Sequence, residues 1–248
     1  MANWNDPQPT KTGFGASPSL NGEVIGSVGT FDQGLRRHML SIYNYMSSGV
    51  LLSGIVALLF ARSGMAAQVI GTPLWWVIAL APLGFVFGIS MGANRMQAAT
   101  LQALFWGFCT VMGLSLSTIF LRYTGASIAG TFFATAGAFA GLSLVGYTTK
   151  KNLSAMGSFM TMGLIGIIIA MVINIFMQSS GLAMAISILG VLIFAGLTAY
   201  DTQRLKNEYY QLQGTDFAGK AVVLGALTLY LDFINMFQFL LSFLGNRN

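Results

Sequence analysis

Residues 229–237 read Leu229-Tyr230-Leu231-Asp232-Phe233-Ile234-Asn235-Met236-Phe237. Asp232 stands near the middle of an apolar run from 221 to 244, long enough to cross a bilayer as a helix. A carboxylate at the centre of a spanning helix costs about 2.5–3.5 kcal/mol on insertion scales, so such a residue turns away from lipid and finds polar company. The helix that carries it therefore needs other helices around it. Thr228, Asp232 and Asn235 fall at i, i+4 and i+7, which puts them on one side of that helix.

Six further apolar runs supply those neighbours, at 39–61, 73–92, 98–120, 127–148, 154–177 and 181–203. The runs are continuous rather than alternating, and a helix satisfies its own backbone within the hydrocarbon, so the spans are read as helices. Composition agrees. Of 248 residues only 8% are charged, against about 25% in soluble domains, and 55% are hydrophobic. The predicted fold is all-α: a polytopic membrane bundle of seven helices, residues 39–248, with the charged seventh inside the others. The short linkers predict that successive helices are antiparallel neighbours. In the fourth run, Gly130, Ala134 and Ala138, with Gly137 and Gly141 beside them, form a small-residue stripe that predicts close helix packing.

Residues 1–38 are polar and rich in Gly, Pro, Ser and Asn, ending in Arg36-Arg37-His38. They hold no early apolar core and are read as a disordered tail rather than a signal peptide. Lys11, Arg36, Arg37, Arg95, Lys150, Lys151, Arg204, Lys206 and Lys220 fall on one side of the membrane, and Arg62, Arg122 and Arg247 on the other. Nine against three places the N-terminus in the cytoplasm and the C-terminus outside. The net charge of +5 does not form a basic stripe, so nucleic-acid binding is excluded; the expected surroundings are membrane lipids. Trp75 and Trp76 open the second run where an interfacial anchor belongs. The lone Cys109 excludes an intramolecular disulfide and reads as a small buried hydrophobe.

A second carboxylate stands at the end of the sixth run, in Ala199-Tyr200-Asp201-Thr202-Gln203-Arg204-Leu205-Lys206. The midpoint of 201 and 232 falls at 216–217, beside the turn-forming Gln213-Gly214-Thr215-Asp216. If the last two helices form a hairpin about that turn, the sixth helix continues past 203 and the two carboxylates sit level. Two carboxyls at close range in a low dielectric share a proton and titrate as a pair. Arg95, at the end of the second run on the same side, is the candidate counter-charge.

The runs Ala226-Leu227-Thr228-Leu229-Tyr230-Leu231-Asp232-Phe233-Ile234-Asn235-Met236-Phe237 and Ala199–Lys206 resemble the seventh- and sixth-helix motifs of the Bax inhibitor-1 family, including its bacterial YccA-like branch. The resemblance covers roughly residues 30–248. It implies six helices around a central seventh and a pH-sensitive calcium leak in a bacterial inner membrane. The paired aspartates are then Asp201 and Asp232, and the helix arginine is Arg95. Calcium prefers oxygen ligands, and two carboxylates are too few for a tight cage, so Asp201 and Asp232 would make a weak transit site. No cofactor is expected. Bacterial relatives also resemble substrates or modulators of an FtsH-type membrane protease, a partner that the 1–38 tail would suit.

Enzymatic readings fare worse, and the chain is not read as an enzyme. Intramembrane aspartyl proteases carry Gly-x-Gly-Asp at the second carboxylate, where this chain has Leu229-Tyr230-Leu231-Asp232. They also need a later Pro-Ala-Leu, and no proline follows Pro82. The single histidine, His38, lies in the tail, which leaves a membrane serine nucleophile without a base.

Overall fold

The computed structural model describes residues 20–215 and 217–247, with side chains described from residue 33 onward. Residues 1–19 of the expected tail lie outside the described residues. Among the described residues the structure holds eight α-helices and no strand, only the isolated bridge Tyr123–Arg247. The helices are α1 (Leu20–Arg62), α2 (Met65–Val69), α3 (Pro73–Gly92), α4 (Ala98–Arg122), α5 (Gly125–Thr148), α6 (Ser154–Met177), α7 (Ser180–Leu212) and α8 (Ala218–Leu244). All except α2 contain a stretch long and apolar enough to cross a membrane, which gives seven spans. His38–Asn248 form one compact unit.

Helix ends follow local chemistry. Gly64 and Gly71 adopt positive φ on either side of the short α2, and Pro73 opens α3 where its missing N–H is no loss. The hydroxyls of Thr124 and Ser179 accept from the backbone N–H groups of Ser127 and Leu182, capping α5 and α7. The first helix begins at Leu20, before the apolar run that starts at 39. Leu35, Met39, Ile42 and Met46 recur at helical spacing and are all buried, so the amphipathic pattern runs through the polar stretch.

The seventh span is the central one. In α8, 61% of the apolar window is buried inside the protein, against 6–39% for the other six. It packs on α4, α5 and α7. Tyr230, fully buried, hydrogen-bonds the Ser53 hydroxyl of α1 at 2.6 Å, and Ser53 in turn donates to the Cys109 carbonyl of α4 at 2.7 Å. Because the Ser53 proton is used on that carbonyl, Tyr230 is the donor between the two hydroxyls.

Two packing expectations are corrected. Helix α6 packs on α7 rather than on its sequence neighbour α5, and α5 packs on α7 and α8. The small stripe of α5 does not make that contact. A methyl group at Gly130, Gly137 or Gly141 would meet no atom within 4 Å, and Ala134 and Ala138 are exposed. The inward face is Thr131, Thr135, Phe139, Ser143 and Gly146. Contact is closest at Gly146, whose missing side chain leaves room for the backbone of Ala199 on α7.

Candidate functional site: a buried carboxyl pair

Helices α7 and α8 form a hairpin whose turn, between Leu212 and Ala218, contains Gly214 at φ 79°. With the turn there, α7 runs nine residues past the apolar run that ends at 203, and residues 201 and 232 face each other at one level. Asp201 and Asp232 retain 6% and 4% of their accessible surface, and their carboxyl groups are close enough to interact directly. Two carboxyls can share a hydrogen bond only when one of them carries a proton.

The cation beside the pair is Arg204, not Arg95. Arg204 Nη2 lies 3.0 Å from Asp201 Oδ1, and its Nε lies 3.4 Å from Glu208 Oε1 on the next turn. Arg204 follows Asp201 by three residues and so lies on the same face of α7, which needs no distant element to bring it in. The expected counter-charge, Arg95, is exposed in the turn after α3. The Arg204 contact is coulombic rather than a well-aligned hydrogen bond. Among the described residues Asp201 Oδ1, Arg204 Nε and Asp232 Oδ2 are buried atoms with no hydrogen-bond partner.

Thr228 and Asn235 lie on α8 and are partly buried, but each satisfies itself on its own helix. Thr228 donates to the Leu224 carbonyl at 3.2 Å and Asn235 to the Leu231 carbonyl at 2.8 Å. Neither supports Asp232 through a hydrogen bond. No group of three or more His, Cys, Asp or Glu able to hold a metal occurs among the described residues, so the pair offers a cation only two carboxyls.

Residues around Asp201 that the sequence reading passed over fix its position. Thr202 donates to the Thr198 carbonyl at 2.8 Å and reaches Ser143 of α5 at 3.3 Å. Gln203 donates to the Lys151 carbonyl and accepts from Leu153 N–H, both at 2.8 Å, tying α7 to the α5–α6 loop. Lys206 donates to the Tyr147 carbonyl at 2.8 Å. Tyr200 lies flat over Gly157 of α6, where no side chain intervenes. Gln203 stands among polar neighbours, Asp201, Thr202 and Arg204, so nothing in its setting singled it out, and its partners lie about fifty residues away.

A seven-span helical bundle, with its last helix enclosed and a buried carboxyl pair between its last two spans, defines a class of polytopic membrane protein. The chain belongs to the Bax inhibitor-1 family: residues 35–248 match the family described as inhibitor of apoptosis-promoting Bax1. It is 44% identical over 218 residues to inner membrane protein YbhL of Escherichia coli, an alignment covering 86% of this chain and 93% of that one. A protein of Rickettsia prowazekii is 47% identical over 220 residues, with 88% and 93% covered. A protein of Caulobacter vibrioides is 49% identical over 230 residues, with 87% and 91% covered.

Proposed function

We propose that the chain is a pH-sensitive leak channel for calcium, gated by the Asp201–Asp232 pair. The observation that carries this reading is the buried carboxyl contact on the central hairpin. A hydrogen-bonded contact between them requires at least one proton on the pair. When that proton leaves, two like charges face each other away from water and repel. When a second proton arrives, Asp201 no longer offers Arg204 a charge. The packing of α8 on α7 at this level thus changes on either side of the singly protonated state.

Arg204 takes the part that the sequence suggested for Arg95: it competes with Asp232 for Asp201. Because α8 lies inside the bundle, a shift at Asp232 bears on α4, α5 and α7 together. Calcium takes about 6–8 oxygen ligands, and two carboxyls supply at most four oxygens, so an ion would pass through the site rather than stay. Asp232 Oδ2, buried and without a partner, is the oxygen best placed to meet it. The nine-to-three charge split supports a cytoplasmic N-terminus, and the name of the E. coli relative supports the bacterial inner membrane.

The test is calcium flux into liposomes over a pH series. Asp232→Asn and Asp201→Asn should each alter the flux and flatten its pH profile. If both variants keep the wild-type flux and profile, the reading is wrong.

A further inference from the structure

At the end of the bundle where α3 begins and α4 and α8 finish lies a cavity of about 410 Å³. Its polar lining is Trp75 of α3, Thr118 and Arg122 of α4, Tyr123 just after α4, and Gln238 and Ser242 of α8. Arg122 and Gln238 are exposed, and among the described residues neither side chain has a hydrogen-bond or ion-pair partner. Ser242 is held in place by a hydrogen bond with Ser187 of α7 at 3.1 Å. Among the described residues, one guanidinium and one amide therefore face an open space with no side-chain carboxylate lining it.

This donor set suits a phosphate oxygen pair, since the planar fork of arginine matches phosphate in two parallel hydrogen bonds. The charge balance narrows the ligand further. A phosphodiester carries one negative charge, which a single arginine offsets; free inorganic phosphate carries more and would be left partly uncompensated. The depth points to lipid. Three spans end or begin here, Trp75 sits where interfacial aromatics anchor a helix, and Ile119 and Leu241 supply an apolar wall beside the polar groups.

We propose that this cavity binds the phosphodiester headgroup of an anionic phospholipid, with Arg122 as the anion-binding group. The site is separate from the carboxyl pair and does not depend on the channel reading. It is tested by native mass spectrometry of the full chain in detergent, titrated separately with phosphatidylglycerol, zwitterionic phosphatidylcholine and inorganic phosphate. One phosphatidylglycerol should be retained per chain in preference to phosphatidylcholine. Arg122→Gln should weaken that retention at least about tenfold, since the charge and both arms of the fork are lost. Gln238→Leu should weaken it less, and Lys150→Gln, in the α5–α6 loop, should leave it unchanged. Thermal melts of each variant separate lost binding from lost folding. Retention by Arg122→Gln equal to wild type at an unchanged melting temperature overturns the proposal. So does equal retention of the two lipids, or binding of inorganic phosphate without lipid.

Discussion

Replacing Gly146 with alanine tests how the helix that carries Asp201 is held. A β-carbon at residue 146 would stand 3.0 Å from Ala199 Cα and 2.9 Å from its carbonyl carbon, and closer still to the carbonyl oxygen. These are backbone atoms, so relief requires α5 and α7 to move apart by several tenths of an ångström. Overpacking of this kind costs about 1–3 kcal/mol. Against it stands the helix propensity gained on replacing glycine by alanine, roughly 1 kcal/mol. The net expectation is a loss of about 0–2 kcal/mol, which lowers the melting temperature by roughly 2–4 °C per kcal/mol for a chain of this size. The separation also stretches the Thr202–Ser143 contact, already 3.3 Å, one residue from Asp201. Gly141→Ala is the matched control. Its β-carbon meets nothing within 4 Å, so only the propensity gain remains and the melting temperature should hold or rise. Thermal unfolding in detergent reads both. If Gly146→Ala melts above wild type by as much as Gly141→Ala does, α5 and α7 do not cross in contact there and the reasoning fails.

Tyr230→Phe removes the donor to Ser53 that joins α8 to α1, and should cost about 1 kcal/mol in the same melt. Gln203→Leu removes two hydrogen bonds to the α5–α6 loop and should speed amide exchange at residues 151–154, with little change elsewhere. Arg204→Gln removes the cation at 3.0 Å from Asp201 and should shift the pH profile of calcium flux, whereas Arg95→Gln, exposed in its turn, should leave it in place. An Arg95→Gln profile that moves as far as the Arg204→Gln profile would return the counter-charge role to Arg95.

The sequence made the spans legible because lipid demands long apolar helices: five of the seven begin and end within three residues of their hydrophobic runs, and α1 and α7 match theirs at one end. The level placement of Asp201 and Asp232 was also readable, since hairpin geometry needs only the position of the turn. Which face of α5 meets its neighbours was not. In a membrane the outward face is as apolar as the inward one, so the stripe at Gly130, Gly137 and Gly141 gave no direction; the inward face is marked instead by Thr131, Thr135 and Ser143. Arg204 was legible and overlooked: its spacing of three from Asp201 is a helical pair, while Arg95 required an assumption about how α3 sits. The start of α1 was hidden because Arg36, Arg37 and His38 look like the end of a tail, although Leu35 and Met39 keep the helical period through them.

The most direct measurement is a pH titration of the carboxylic-acid C=O stretch by infrared difference spectroscopy on the protein in lipid, run alongside calcium flux in the same vesicles. If the pair shares a proton and that proton gates the leak, a carboxylic-acid band titrates with the flux and has the same midpoint. Asp232→Asn should abolish both the band and the pH dependence. A leak that titrates with no change in that band, or a band that persists in both Asp201→Asn and Asp232→Asn, would contradict a gate built on this pair.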